Sequence, residues 1–184
     1  MWLNKGWIDY FTPQLYWPIN RPTQSFPVLL GWWAGENTMK RHLWPGISVG
    51  RDTSFRNVNE IMSQIQISRG MLPESKGVVH WSISSVTKNP AMAKALLETP
   101  YKKQALVPAS PWLDNTPPES PSMQLMVKDG MAHISWTHPD IRDVFRWVLY
   151  YEYGEGKVKE YTILNQKTDH LELPTEKIMD KNKL

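Results

Sequence analysis

The stretch GWIDYFTPQLYW, residues 6–17, decides how the first half of the chain is interpreted. It is rich in aromatic and branched residues and ends before Pro18, which is typical of a β-strand that leads into a loop. Alternation along such a strand gives a polar face and an apolar face. The polar face carries Tyr10, Thr12, Gln14 and Tyr16. The apolar face carries Phe11, Leu15 and Trp17. The apolar face is expected to pack against other elements, and the polar face to line a barrel interior or a cleft.

Downstream of this strand, apolar residues recur alternately at helical and at strand spacing. Helices are predicted over residues 25–38, 57–69 and 89–97, and strands over residues 42–49 and 78–84. Ser25 and Asn57 can cap the first two helices. Glu60 occupies the capping-box position three residues after Asn57, and Gly70 is expected to stop the second helix.

Strand and helix alternate three times, which is typical of parallel β/α units. Three units do not close a structure, because a sheet of three strands leaves an unpaired edge and a bare barrel interior. Residues 1–107 are therefore predicted to be the last three β/α units of an incomplete TIM-type barrel, whose earlier units lie outside this sequence.

The chain changes character at residues 108–121, which are rich in proline and are predicted to form a stiff linker between two domains. Four short alternating segments follow, at residues 123–127, 132–136, 145–153 and 158–164. Turn residues separate these segments, a pattern typical of an antiparallel β-sandwich. Residues 122–184 are predicted to form such a sandwich, small and incomplete, with Trp136 and Tyr150 in its core. The predicted fold class is thus α/β followed by all-β.

Composition excludes several classes of function. The 21 Lys and Arg residues are scattered and nearly balanced by 18 Asp and Glu, which argues against a nucleic-acid partner. No apolar stretch approaches the roughly 18 residues that a membrane-spanning helix needs. The absence of cysteine excludes disulfides, thiolate metal sites and a cysteine nucleophile, and neither a metal nor a cofactor is expected. The 10 Trp residues favour an aromatic binding surface, although core packing explains each single Trp more readily.

Several residues and short motifs together resemble one known family. They are residues 6–17, Trp32-Trp33, Pro45-Gly46-Ile47, Glu60-Ile61, Gln64-Ile65, Arg69 and residues 77–82. Over residues 1–107 the chain resembles the end of a glycosyl-hydrolase-like 10 domain, and the Pro-Gln-Leu-Tyr-Trp element at residues 13–17 is the most specific part. Residues 118–184 resemble the fibronectin-type-III-like module that often follows this domain.

The resemblance implies a fold, a substrate class and a location. The fold is a (β/α)₈ barrel, of which strands six to eight are present here. The substrate is a carbohydrate, with the glycan strands of peptidoglycan as the leading candidate. Members of the family are mostly bacterial envelope lipoproteins and secreted proteins, so an extracytoplasmic location is expected. Contact with a membrane is expected only through an N-terminal anchor outside this sequence, and the catalytic carboxyl groups are expected on strands one to five.

Ligand-contacting groups of a β/α barrel lie at the carboxyl ends of its strands. The candidates here are Gln14, Tyr16 and Trp17 after the first strand, Arg51 and Asp52 after the second, and His80, Trp81 and Ser82 in the third. An amide and a phenol can hydrogen-bond sugar hydroxyls, and an aromatic ring can stack on a pyranose face.

The roles of His80 and Trp81 depend on which face of the third strand points inward. If His80 points inward, Trp81 packs against the helices; if Trp81 points inward, it can form a platform for a sugar. His80 is either an acid/base group or a hydrogen-bonded core histidine. Arg51 and Asp52 can also form an ion pair or cap a helix.

No catalytic pair is assigned from the sequence. Glycoside hydrolysis normally needs two carboxyl groups about 5 to 9 Å apart. Asp9 lies at the amino end of its strand, and Glu36 and Glu60 fall on predicted helices. The leading function is therefore a fragment of a glycoside hydrolase that acts on cell-wall glycan or another polysaccharide. A noncatalytic carbohydrate-binding or envelope scaffold protein is the alternative, and a protein-docking role for the sandwich is a third hypothesis.

Overall fold

A computed structural model describes residues 1–50, 57–153 and 158–175 of the chain. The chain divides into two compact units, Met1–Asp114 and Asn115–Leu184. The division falls inside the segment 108–121 that the sequence predicts as a linker. Residues 108–114 therefore belong to the first unit.

Unit 1 alternates short parallel strands with helices. The helices are α1 (Phe26–Glu36), α2 (Val58–Met71), α3 (Ile83–Thr87) and α4 (Pro90–Glu98), and the strands are β1 (Tyr10–Phe11), β2 (His42–Leu43), β3 (Gly46–Ser48) and β4 (Val79–Trp81). A 3₁₀ turn at Leu3–Lys5 precedes them. Strand β1 pairs in parallel with β2, β3 pairs in parallel with β4, and an isolated parallel bridge joins Gln14 to Gly46. Residues 10–14, 42–48 and 79–81 thus run side by side with their carboxyl ends at one edge.

Prolines explain why these strands are shorter than predicted. Pro13 interrupts the predicted strand over residues 6–17, of which only β1 and the bridge at Gln14 pair. Pro45 separates β2 from β3 in the same way, because proline has no N–H to donate to a sheet ladder. The carbonyl groups of both prolines still accept bonds, from the N–H of Gly46 and of Val79. The strands therefore remain aligned across both breaks.

Helices cover one face of this parallel sheet, and the other face is partly exposed. Phe11, Leu15, Leu43 and Ile47 pack with the buried residues of α1 and α2, so the apolar face predicted for the first strand packs as expected. A buried hydroxyl, that of Ser75, bonds both the N–H and the carbonyl of Leu43. The opposite face carries the largely exposed Tyr10 and Trp81.

Two helix and strand boundaries differ from the sequence prediction. Helix α2 continues through Gly70 to Met71 and ends at Leu72, because the following Pro73 disfavours helical geometry at the residue before it. The strand predicted over residues 78–84 ends at Trp81, and α3 begins after Ser82, whose extended backbone forms the N-cap position. Serine favours such caps over strand interiors.

Unit 2 consists of two antiparallel sheets. Its strands are β5 (Ser122–Lys128), β6 (Met131–Thr137), β7 (Arg146–Tyr153), β8 (Val158–Asn165) and β9 (His170–Pro174), with a 3₁₀ turn at Ile141–Asp143. The sheets have the orders β5-β6-β9 and β7-β8. They meet through an edge-to-face contact of Trp136 and Trp147, whose ring centroids are 6.0 Å apart. Trp136 is buried as predicted, but Tyr150 is 65% exposed, because the inward orientation of Trp147 turns Tyr150 outward.

Strand β9 was not predicted from the sequence, because it is short and ends in Pro174. Within the described ranges, no helix combines the length and the apolar character that crossing a membrane requires. The incomplete TIM-type barrel and the fibronectin-type-III-like sandwich stay predictions.

Candidate functional site

The carboxyl edge of the parallel sheet brings three predicted site residues onto its open face. Gln14 is bridged to Gly46, and Trp81 pairs with Ser48, two residues further along the same strand. Side chains two residues apart lie on the same face, so Gln14 and Trp81 both project from the open side. Gln14 is exposed, and Trp81 is 64% exposed.

The ring of Tyr16 lies next to Gly46 on this face. A Cβ atom at Gly46 would lie 3.5 Å from the Tyr16 ring and 3.3 Å from the Pro13 carbonyl oxygen. The half-buried Tyr16 ring thus covers the backbone of the neighbouring strand. Gln14, Tyr16 and Trp81 together form what we call the open-edge group.

Helix α2 fixes the loop that follows Tyr16. The Gln64 amide donates to the Trp17 carbonyl at 3.1 Å, and the Glu60 carboxylate accepts from the Ile19 N–H at 2.7 Å. The same amide also donates to Glu60 at 2.9 Å, and the Ser25 hydroxyl donates to the Ile19 carbonyl at 2.7 Å. These four bonds, which we call the α2 clamp, hold residues 17–19 from both sides.

The α2 clamp corrects the interpretation of Glu60. Asn57 caps the helix as predicted, because its side chain accepts from the Glu60 N–H at 2.9 Å. The Glu60 side chain, however, bonds Ile19 in a distant loop instead of completing a capping box. Glu60 and Gln64 are one helical turn apart, and this spacing is the signal in the sequence. The sequence does not reveal that Glu60 bonds Ile19, because 41 residues separate the two.

His80 lies on the opposite side of β4 from Trp81, which settles the orientation that the sequence left open. Its pairing partner is the fully buried Ile47, on the helix-covered face. The His80 Nε2 atom is 2.6 Å from the Tyr101 hydroxyl, and burial lowers the pKa of the imidazole below 6.5. Burial likewise raises the pKa of Tyr101, although nearby Arg69 opposes this change. His80 is therefore a hydrogen-bonded histidine under the sheet, and Trp81 faces outward.

Of the other predicted site residues, Trp17 is half-buried in the loop that the α2 clamp holds, and Ser82 directly precedes α3. The Ser82 hydroxyl is 3.2 Å from the Ser84 hydroxyl. Beside them lies an open cleft of about 510 Å³, lined by Val49, Gly50, Ser84, Ser85, Lys88, Asn89 and Pro90. Arg51 and Asp52 fall outside the described residues. The cleft adds hydroxyl and amide groups to the same edge of the sheet.

Four of the described acidic side chains of unit 1 contact groups other than a second carboxyl group. Asp9 accepts from the Trp112 indole, Glu36 from the Asn4 amide and Glu60 from the Ile19 N–H. Glu98 lies 4.0 Å from the Lys94 ammonium group. Nor do the described residues include a group of three His, Cys, Asp or Glu side chains that could hold a metal ion. The described part of unit 1 thus offers polar and aromatic binding groups, and we assign no pair of catalytic carboxyl groups among its residues.

A second aromatic cluster lies toward the amino ends of the strands. Trp44 stacks on Tyr10 and on His42, each at 5.1 Å between ring centroids, and the Trp112 ring meets His42 edge-on at 4.8 Å. The Ser110 hydroxyl is 3.1 Å from the His42 Nε2 atom. Burial lowers the pKa of His42, although the neighbouring Asp9 opposes this change. The predicted linker therefore begins with residues that are bound to unit 1.

Comparison with known proteins identifies the chain's relatives. It is 34% identical over 179 residues to the protein named glycosyl hydrolase YngK of Bacillus subtilis, an alignment that covers 92% of this chain and 35% of YngK. The chain is thus similar to a protein named glycosyl hydrolase. It is also 46% identical over 89 residues to glycosyl hydrolase DigH of Escherichia coli K12, an alignment that covers 42% of this chain and 20% of DigH. No family model and no solved structure matches it.

The alignment with YngK extends into both units. Unit 1 ends at residue 114 of 184, so an alignment that covers 92% of this chain must include part of unit 2. The chain spans about a third of the length of YngK and about a fifth of that of DigH.

Proposed function

We propose that the chain is part of a glycoside hydrolase and contributes a glycan-binding surface to it. Glycan strands of peptidoglycan are the leading substrate, and another polysaccharide is the broader possibility. The observation that carries this proposal is the exposed Trp81 ring, which shares one face of the sheet with Gln14 and Tyr16 in a glycosyl-hydrolase-like chain.

The chemistry of the open-edge group suits a sugar. An exposed indole presents a flat apolar ring to the apolar face of a pyranose, and a carboxamide and a phenol can donate to and accept from its hydroxyls. The cleft beside α3 adds the Ser84, Ser85 and Asn89 side chains at the same edge. In this proposal the two carboxyl groups of the hydrolysis come from parts of a longer protein, in keeping with the share of YngK that the chain spans.

The proposed architecture follows from the same observations. We take residues 1–107 as the last three units of a (β/α)₈ barrel, because the strands are parallel and helices cover only one face. Residues 108–121 are taken as the linker, and residues 122–184 as a fibronectin-type-III-like sandwich, which the two antiparallel sheets support. An extracytoplasmic location, with an anchor supplied by a longer protein, belongs to this proposal.

A noncatalytic carbohydrate-binding or scaffold protein is the second candidate. It is favoured by one observation: the carboxyl groups of Asp9, Glu36, Glu60 and Glu98 contact an indole, amides, a backbone N–H and a lysine instead of one another. This candidate requires the same glycan binding and no bond cleavage.

Binding by the 184-residue chain tests the proposal directly. The chain would be incubated with purified peptidoglycan, chitin and cellulose, and the bound fraction measured. Trp81→Ala is expected to weaken binding about tenfold or more, because stacking on one aromatic ring is a large part of a sugar contact. Trp32→Ala is the matched control, since Trp32 is 54% exposed but lies on helix α1.

The outcomes separate the two candidates. Equal effects of the two variants, or no binding to any of these glycans, would refute the proposed surface. If binding follows the expected pattern, release of reducing ends by a longer protein that contains this chain distinguishes hydrolysis from binding alone. Binding without release supports the noncatalytic candidate.

A further inference from the structure

The open cleft beside α3 carries a positive charge that the glycan surface proposed above does not use. Among the described residues that line this cleft, Lys88 is the only charged side chain. Lys88 is exposed, and its ammonium group makes no ion pair and no side-chain hydrogen bond with any residue that the structure describes. A cleft whose charge has a single sign attracts ligands of the opposite charge. This cleft, of about 510 Å³, is therefore suited to an anionic group.

The other polar side chains of the cleft can donate hydrogen bonds to such a group. The hydroxyls of Ser84, which is exposed, and of Ser85, which is half-buried, can each donate one O–H. The side-chain oxygen of Asn89 accepts from the Met92 N–H at 3.1 Å, so its amide nitrogen is left to donate to a ligand. Hydrogen bonds to an ionised oxygen are roughly twice as strong as those between neutral groups. The cleft thus combines one cation with three donors.

The walls of the cleft come from two strands that pair directly with each other. One wall is the end of β3 with Val49 and Gly50, and the other consists of α3 and the residues after it, which follow β4. The Val49 N–H donates to the Trp81 carbonyl at 3.0 Å and so joins the two walls. A Cβ atom at Gly50 would lie 3.2 Å from the Ser85 Oγ atom, so the Ser85 hydroxyl lies close to the opposite wall. The shape of the cleft therefore follows from contacts within unit 1.

The position of the cleft connects it with the open-edge group. Trp81 is followed by Ser82 and then by α3, so the cleft begins where the strand that carries Trp81 ends. A glycan on the Trp81 ring would lie at the same edge of the sheet as the cleft. In the proposed barrel, β3 and β4 belong to its last two strands, and the loops after these strands frequently bind a phosphate group in barrels of this type. An anionic substituent of the glycan is therefore the ligand that this position favours.

We propose that the cleft binds an anionic substituent of the glycan, a carboxylate or a phosphate group, and that Lys88 selects it. This inference rests on the glycan surface proposed above. The Lys88 ammonium group supplies the charge, and Ser84, Ser85 and Asn89 donate to the oxygens of the same substituent. Lys88 is thus a specificity residue: it strengthens binding of a charged glycan and adds nothing to binding of a neutral one. Trp81, in contrast, contributes to both.

Chitin derivatives with one common backbone test this selection. The 184-residue chain would be titrated with carboxymethyl-chitin, with phosphorylated chitin and with the neutral glycol-chitin. At about 20 mM salt, at least one of the charged polymers is expected to bind about tenfold more tightly than glycol-chitin, because it adds charge-assisted hydrogen bonds. At about 300 mM salt this advantage should shrink, since salt screens an exposed lysine.

Variants of two lysines separate the cleft from the general charge of the chain. Lys88→Met should abolish the advantage of the charged polymer and leave binding of glycol-chitin unchanged, whereas Lys88→Arg should retain it. Lys94→Met is the matched control, because Lys94 is an exposed lysine of α4 that does not line the cleft. It should keep the advantage. Trp81→Ala should weaken binding of all three polymers.

The outcomes distinguish this inference from the glycan proposal on which it rests. The charged polymer that shows the advantage identifies the group as a carboxylate or a phosphate. Equal affinities for all three polymers, or equal effects of Lys88→Met and Lys94→Met, overturn the role of the cleft. If binding still depends on Trp81 in that case, the glycan surface itself stands. Absence of binding to all three polymers overturns both proposals.

Discussion

Gly77 lies so close to the Trp44 indole that a side chain would collide with the ring. A Cβ atom there would be 2.5 Å from the Trp44 Cδ1 atom. The indole cannot move easily, since it is stacked on both Tyr10 and His42.

Gly77→Ala is therefore expected to destabilise unit 1 by roughly 1–3 kcal/mol, the usual cost of overpacking. Thermal or urea unfolding followed by tryptophan fluorescence measures the change. Gly35→Ala is the matched control: it lies in α1 with nothing within 4 Å of its Cβ position, and it should be neutral or stabilising by up to about 1 kcal/mol. Equal effects of the two substitutions would contradict the close approach of Trp44.

Two histidines make the stability of unit 1 depend on pH. Burial lowers the pKa of His80 and of His42 below 6.5 in the folded chain, whereas in the unfolded chain both bind protons near that value. The unfolded state then holds more protons, so the free energy of unfolding falls as the pH drops from about 7.5 to 5.5. Urea unfolding at these two pH values measures the decrease.

His80→Gln should reduce this pH dependence and leave the part that His42 contributes. Carboxyl groups with a lowered pKa, such as those of Asp140 and Asp169, change the free energy of unfolding only at more acidic pH. A free energy of unfolding that stays constant between pH 7.5 and 5.5 would show that neither histidine is desolvated in the folded chain.

At the scale of elements, helix α2 serves the candidate site as well as the core. Its buried Ile61 and Ile65 pack under the sheet, and Glu60 and Gln64 hold the loop after Tyr16. The two residues of each pair are one helical turn apart, so the helix presents its apolar pair and its polar pair side by side.

Glu60→Ala is expected to release this loop. The Ile19 N–H loses its acceptor, so its hydrogen exchange should accelerate, and the free energy of unfolding should fall by about 1–3 kcal/mol. Exchange measured by NMR or mass spectrometry checks the first effect. Glu98→Ala is the control, since its exposed pair with Lys94 should contribute little. Unchanged exchange at Ile19 would show that the α2 clamp does not hold the loop.

Local sequence signals predicted the elements better than their contacts. Asn57 and Asn89 accept from the N–H groups three residues later, as capping residues should, and both helices begin where the sequence placed them. The orientation of Trp81 could not be predicted, because it depends on the register of β4 against the distant Ser48. The first two residues of the short helix α3, Ile83 and Ser84, were assigned to a strand, because they continue the alternation of residues 78–82.

At the scale of the whole molecule, the boundary of unit 1 lies beyond the predicted domain end at residue 107. Trp112 bonds Asp9 at 2.8 Å, and its ring lies under the Arg41 guanidinium and against His42. Proline content marked residues 108–121 as a linker, but composition carries no information about which of its residues bind a neighbouring unit. The contact pairs residues 103 positions apart, which no local pattern reveals.

A chain that ends at Asp114 is therefore expected to be more stable than one that ends at residue 107. The difference should be roughly 1–3 kcal/mol, because the shorter chain loses an aromatic contact, a hydrogen bond to a carboxylate and the cover over His42. Urea unfolding of the two truncated chains measures it, and Trp112→Ala in the full chain should give a similar loss. Equal stability of all these chains would place the domain end at residue 107.

The near-parallel stack of Trp44 on His42, with 10° between the ring planes, gives unit 1 an optical reporter. A protonated imidazole in contact with an indole quenches its emission, whereas the neutral ring does so much less. The fluorescence of Trp44 therefore reports the charge of His42 from within the folded chain. Comparing the acid titration of the emission in the wild type with that in Trp44→Phe isolates this signal from the other tryptophans, without any added label.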